Sequence, residues 1–204
     1  MRPRLAPSVP LLPLVAFAAA LSAPPASAQL FTKHSDLTFA VVPTEQGTES
    51  LELDLYVPNG VPAPLPLVVH VHGGGWKAGS KENPGGLFLL QSGFALASFE
   101  YRLSCQAKWP AQIHDVKGAV RWLRANAATY GLDPERFGVF GGSAGGHLAA
   151  FLGTSGGVGA VELGGEAFVL EGTTGGNLSF SSRVQAVGDF FGPTDFLWMD
   201  AFPS

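Results

Sequence analysis

Residues 137–150 read Phe137-Gly138-Val139-Phe140-Gly141-Gly142-Ser143-Ala144-Gly145-Gly146-His147-Leu148-Ala149-Ala150. The first four have the apolar, aromatic character of a short buried strand, and the last five that of a helix start. A strand that turns at once into a helix holds its corner residue in a strained backbone conformation. Gly141, Gly142 and Gly145 keep side chains away from that corner. The Ser143 hydroxyl then projects at the carboxyl edge of a sheet, with a helix N-terminus behind it. A Gly-rich turn that only packs would have the same composition. A phosphate loop would not: no lysine follows the glycines at the required spacing, and G-x-G-x-x-G is not formed.

Outward from this corner the chain alternates strands and helices. Pro110 sits at a first helical position, and Ile113, Val116, Val120 and Leu123 then share one helical face. Asp115, Lys117, Arg121 and Arg124 lie away from that face, and Gly131 fits the position just past the helix end. Asp133-Pro134-Glu135-Arg136 makes the turn into the Phe137 strand. Earlier, residues 84–91 read as a short helix and Gly93–Phe99 as a strand. The run Leu67-Val68-Val69-His70-Val71-His72 suits a strand buried on both faces. Leu37–Val42 and Leu51–Val57 form a hairpin about Glu45-Gln46-Gly47-Thr48. There Leu51, Leu53, Leu55 and Val57 alternate with Glu52, Asp54 and Tyr56, the pattern of a half-exposed edge pair. Downstream, Thr154 to Ser182 is Gly-rich and aperiodic and reads as a long loop, and Val184–Phe191 as a last strand. The expectation is an α/β domain with a mostly parallel sheet and an N-terminal antiparallel hairpin.

The 204 residues are 46% hydrophobic and 14% charged with a net charge of −4, a balance that suits one globular domain. Mild acidity and the lack of a basic patch argue against a nucleic-acid partner. Residues 1–28 have the form of an export signal: Arg2 and Arg4, an apolar stretch from Leu11 to Leu21, and Ala26-Ser27-Ala28 as the cleavage site. The run is too short for a membrane span of roughly 20 residues, so no stable membrane anchor is expected. The domain then occupies residues 29–204, in a periplasmic or extracellular setting. Cys105 is the only cysteine, so its thiol is either buried or paired with sequence outside this chain.

The corner run satisfies G-x-S-x-G, the spacing of a nucleophile elbow. A second motif, His72-Gly73-Gly74-Gly75-Trp76, follows the upstream strand. Acyl transfer passes through an oxyanion that fixed backbone N–H groups stabilise. Three consecutive glycines let a backbone approach a ligand and turn its amides inward.

With HGGGW at 72–76, EYRLS at 100–104, WPAQIHDV at 109–116, LDPERFGVFGGSAGGHLAA at 132–150 and FFGPTDF at 190–196, the chain resembles an α/β-hydrolase. It is similar to the esterase/lipase group that includes hormone-sensitive-lipase-like and bacterial feruloyl- or acetyl-esterase-like families. The resemblance implies Ser143 as nucleophile and the amides of Gly74, Gly75 and Ala144 as the oxyanion hole. It implies Trp76 in the acyl or alcohol pocket. It further implies hydrolysis of small-molecule or polysaccharide-linked carboxylic esters, without metal or organic cofactor.

A serine hydroxyl needs a base, and the base a carboxylate, in the chain order Ser, acid, His. The only histidine after Ser143 is His147, which belongs to the elbow helix and is expected to point into packing. His70 and His72 share a strand face but lack a third metal ligand, and His72 is expected to order its glycine loop. His34 and His114 have no supporting context. Asp195 could be the acid in a variant topology, whereas the resemblance puts the acid farther downstream. Asp189 and Asp200 have less support, and Asp115 is expected to make a structural contact. The expectation is a chain lacking the last strand–helix units, the triad acid and the His, and therefore inactive or severely impaired. The alternatives are a non-catalytic ligand-binding relative, or a peptidase or acyltransferase of the same fold.

Overall fold

A computed structural model describes residues 29–196. The export signal expected in residues 1–28, and Asp200, lie outside the described residues. The elements are β1 (Phe31–Thr44), β2 (Gly47–Pro58), β3 (Leu65–Val71), a 3-10 helix (Leu87–Ser92) and β4 (Ala95–Phe99), followed by α1 (Ala111–Ala125) and β5 (Leu132–Gly142). After these come α2 (Ala144–Ser155), β6 (Ala160–Leu163), β7 (Glu166–Val169) and β8 (Ala186–Phe190). Six strands form one sheet in the order β1-β2-β4-β3-β5-β8. The β1–β2 and β2–β4 pairs are antiparallel, and the β4–β3, β3–β5 and β5–β8 pairs are parallel. The α/β architecture with an antiparallel N-terminal edge is thus the one expected.

The core sits between one sheet face and the two helices. Leu65, Leu67, Val69 and Val71 of β3 alternate inward and meet Ile113, Val116, Val120 and Leu123 of α1, with Leu148 and Leu152 of α2 in the same cluster. Full burial of each such aliphatic side chain contributes roughly 1.5–3 kcal/mol. The opposite face carries a small cluster of Tyr56, Leu90 and Leu96, with Val68 and Phe140 packed on it beneath the 3-10 helix.

Gly131 takes the expected capping role, but not directly after α1. Beyond Ala125 the chain continues through further turns, which close with Leu132 N donating to Ala127 O (2.8 Å) and Gly131 N to Ala128 O (3.4 Å). With φ at +66° on Gly131 this is a Schellman cap. The Asp133–Arg136 turn is absorbed into β5 as an irregularity, between the pairs Leu65↔Leu132 and Leu67↔Phe137.

Two expectations are corrected and one is extended. First, β2 is interior, flanked by β1 and β4, so Asp54 and Tyr56 are buried with the leucines. Lys33 (2.7 Å) and Lys81 (3.1 Å) neutralise the Asp54 carboxylate, and Lys81 also reaches Asp36 at 2.6 Å. Second, residues 154–182 contain the hairpin β6–β7, paired from Ala160↔Val169 to Leu163↔Glu166, with Gly164 and Gly165 at its tip. Third, the face of α1 that lies away from its apolar stripe is covered as well. Lys117 and Arg121 are buried because residues 170–183 lie across them. Lys117 Nζ donates to Ser155 O (2.7 Å) and contacts Glu171 (3.2 Å). Arg121 binds Glu171 Oε1 (2.6 Å) and donates to Thr174 O (2.9 Å). Arg124 donates to Arg183 O (2.7 Å) and to Ser181 O. Long cationic side chains thus replace water with carbonyls and one carboxylate, which buried charge demands. Cys105 is exposed, which removes the buried-thiol alternative.

Candidate active site

The corner residue is placed by three elements. β5 delivers Gly141-Gly142, α2 begins at Ala144, and Ser143 between them has φ 55° and ψ −124°. A non-glycine residue with positive φ outside the left-handed helical well costs about 1–3 kcal/mol and persists only where its surroundings hold it. Here Ser143 N donates to Phe190 O at the end of β8 (3.0 Å), and Ser143 O accepts from His147 N in the first turn of α2 (3.0 Å). The residue stays exposed. The tight corner requires glycine at 145: a Cβ there would stand 2.1 Å from Val71 O and 2.7 Å from His72 O.

The glycine loop after β3 comes directly to this corner. A Cβ on Gly73 would lie 2.8 Å from Gly142 O and 3.6 Å from Ser143 Cβ. The loop then turns through Gly74 (φ 111°), Gly75 (φ 58°) and Trp76 (φ 59°). Gly74 O accepts from Lys77 N (3.0 Å) and Ala78 N (3.1 Å). The amides of Gly74 and Gly75 have no acceptor among the described residues. Ala144 N, at the first position of α2, lacks an intrahelical acceptor by construction. Three free donors thus belong to the two motifs that meet at the corner.

His72 orders the loop from behind, as expected. Its ring stacks on Tyr101 (centroids 4.2 Å apart, planes at 11°), and its Nδ1–H donates to Gly73 O at 2.8 Å. Tyr101 Oη in turn donates to His72 O (3.0 Å). Burial pushes the His72 pKa down, against the pull of the Gly73 carbonyl. His70 packs instead on Phe140 (5.0 Å), under the 3-10 helix. The other end of the loop is fastened where Lys81 N donates to Glu100 Oε1 (2.9 Å).

A cleft of about 530 Å³ opens beside the corner. Trp76 lines it, and so does His147, whose ring packs among aromatic side chains as expected and also faces the cleft. The His147 ring meets Trp76 (5.5 Å), Trp109 (5.8 Å) and Phe196 (5.1 Å), and its buried Nδ1 has no hydrogen-bond partner among the described residues. Burial lowers its pKa, partly offset by the Asp189 carboxylate. The sequence reading missed Trp109 and Phe151 as cleft residues. Their signal was available: Trp109 lies just before Pro110, the N-cap of α1, and His147 and Phe151 are four apart on α2.

The acid candidates disperse. Asp195 is exposed, beyond β8. Asp189 Oδ1 accepts from Gly192 N (2.8 Å) and closes the turn after β8. Asp115 is fully buried and grips Arg102, with Oδ1 2.6 Å from Nη2 and Oδ2 2.9 Å from Nε. That is the structural contact expected of it. No described residue hydrogen-bonds the Ser143 hydroxyl, and all five histidines fall among the described residues.

Comparison with known proteins adds the following. A profile of the BD-FAE family matches residues 53–203. The chain is 35% identical over 133 residues to esterase LipQ of Mycobacterium tuberculosis, which covers 64% of this chain and 29% of LipQ. Among solved structures, a bifunctional GH43-CE of Bacteroides eggerthii superposes with a TM-score of 0.76 at 41% identity, covering 83% of this chain and 22% of that one. A truncated carbohydrate esterase from gut microbiota also gives a TM-score of 0.76, at 37% identity and 87% and 62% coverage.

Proposed function

Since the chain belongs to the BD-FAE family of α/β-hydrolase esterases, we propose that Ser143 is the nucleophile of a serine carboxylic-ester hydrolase. The observation that carries this is the meeting of the two motifs: an exposed, strained Ser143 against Gly73, with the unpaired amides of Gly74, Gly75 and Ala144 nearby. In the reaction Ser143 Oγ adds to the ester carbonyl carbon, and the carbonyl oxygen takes up the negative charge. The three amides stabilise that oxyanion, each donor contributing about 3–4 kcal/mol. The alcohol leaves, and water then hydrolyses the acyl-enzyme. Trp76 forms part of the substrate wall. The chain needs no metal or organic cofactor in this scheme.

The chain spans about a third of LipQ and about three-fifths of the carbohydrate esterase it matches, so the whole protein's activity is part of the proposal. Esters of short or aromatic acyl groups on carbohydrate are the substrate class we infer, supported by the likeness to a carbohydrate esterase and by the aromatic cleft. Export is inferred from the leader pattern of residues 1–28, and a mature N-terminus at Gln29 tests it.

Because no histidine hydrogen-bonds Ser143, we expect the 204-residue chain to turn over poorly, since loss of a triad base costs about 10⁶ in kcat. The same observation favours a second reading, a ligand-binding relative that kept the cleft. Assay on p-nitrophenyl acetate tests both. Slow turnover abolished by Ser143→Ala supports the hydrolase, and turnover indifferent to that change overturns it.

A further inference from the structure

Among the described residues lining the cleft beside Ser143, Lys77 alone carries a permanent charge, and that charge is positive. Its ammonium has no ion pair and no hydrogen bond among the described residues. Lys33, Lys81 and Lys117 are held by carboxylates at 2.7, 2.6 and 3.2 Å, and Lys108, unpaired like Lys77 among the described residues, does not line the cleft. The Lys77 backbone is nevertheless fixed, with its N–H on Gly74 O (3.0 Å) and the preceding Trp76 O accepting from Ser104 N (2.7 Å). An unpaired cation is therefore anchored at an aromatic wall.

The rest of the wall suits a sugar ring. The Trp76 and Trp109 indoles line it, and an indole face is a surface on which the C–H side of a pyranose packs. Gln112 donates both amide hydrogens inward, to Arg102 O (3.0 Å) and Ala107 O (2.8 Å), which leaves its Oε1 as an acceptor. The Ser104 hydroxyl is unpaired among the described residues. A neutral ring would use these groups and leave Lys77 facing water. Lys77 is exposed, so a carboxylate would gain from its ammonium the modest attraction of a solvent-screened pair.

We propose that the cleft selects an acidic sugar, a uronate ring whose carboxylate faces the Lys77 ammonium. This rests on the ester-hydrolase reading only for where the scissile bond lies, and it adds charge selection to that site.

The test is binding of methyl β-D-glucuronoside against methyl β-D-glucoside at millimolar concentrations and low salt, followed by NMR on the tryptophan indole signals. The wild-type chain, Lys77→Met and Lys77→Arg are compared, each with its melting temperature as a folding control. The expected result is a preference for the glucuronoside of about fivefold, lost in Lys77→Met, kept in Lys77→Arg and weakened by salt. Equal binding of the two sugars, no binding of either, or a preference that survives Lys77→Met overturns the proposal. Fluorophosphonate labelling of Ser143, run in parallel, separates the two readings. Labelling without sugar discrimination defeats only the uronate site, and discrimination without labelling defeats only the hydrolase.

Discussion

Gly73 abuts Ser143: a Cβ on the glycine would stand 3.6 Å from the serine Cβ and 2.8 Å from the carbonyl oxygen of Gly142. Two motifs separated by nearly the length of the central α/β unit are thereby brought together, because β3 and β5 are parallel neighbours whose ends meet at Val71 and Gly141. Gly73→Ala is expected to push the glycine loop off the corner. The Gly142 contact is to backbone, which cannot rotate away as a side chain would. Reaction of Ser143 with a fluorophosphonate should fall at least tenfold, while far-ultraviolet circular dichroism stays that of the parent. An undiminished labelling rate would show that the loop does not act on the serine.

Glu171 holds two buried cations, Lys117 at 3.2 Å and Arg121 at 2.6 Å. Its own pKa is held below the usual carboxylate range: burial raises it, but the Ser182 hydroxyl, Lys117 and Arg121 together outweigh that. Glu171→Gln leaves both cations without their carboxylate and should destabilise the fold by about 3–5 kcal/mol. Limited proteolysis should then cut within residues 170–183 first. An unchanged melting temperature would mean that the carbonyl acceptors alone hold this segment.

Asp115 receives the Arg102 guanidinium through both oxygens and also accepts Arg102 N at 3.0 Å. This contact pins the chain after β4 to the first turns of α1 and so helps place Ser104 and Trp109 in the cleft wall. Asp115→Asn should cost about 3 kcal/mol, a fall in melting temperature of roughly 6–12 °C. A smaller loss than that of a surface substitution would contradict the assignment.

Burial lowers the His70 pKa from 6.5 to about 4, and His72 acts in the same direction. Between these two values the unfolded chain binds a proton that the folded chain refuses. Stability therefore falls as the pH drops from about 6.5 towards about 4, through this group. His70→Gln should flatten the dependence of melting temperature on pH in that window, leaving the shares due to His72 and His147. An identical slope in the variant would show that His70 does not titrate as described.

Much of the fold was legible because local pattern and tertiary role agree. The inward leucines and valines of β3, the apolar stripe of α1 and the G-x-S-x-G corner each mean in the structure what their spacing implies. What escaped was decided by distant partners. Lys117, Arg121 and Arg124 have the spacing of an ordinary charged helix face, and only Glu171 and the carbonyls of 174–183, about fifty residues away, make their burial tolerable. Asp54 was hidden in the same way by Lys33 and Lys81. His147 follows the elbow in sequence, yet its surroundings in the cleft come from Trp76, Trp109 and Phe196, which no single helical pattern joins.

Everything proposed for the site requires that the Ser143 hydroxyl, presented beside unpaired amides, reacts as a nucleophile. That reactivity is tested most directly by incubating the 204-residue chain with a fluorophosphonate and mapping the adduct by peptide mass spectrometry. A slow, single-site adduct on Ser143 that disappears in Ser143→Ala is expected, since amide donors and binding sustain about 10³–10⁴-fold rate enhancement without the remaining triad groups. No adduct on Ser143, or adducts spread over other serines at the same rate, would contradict it.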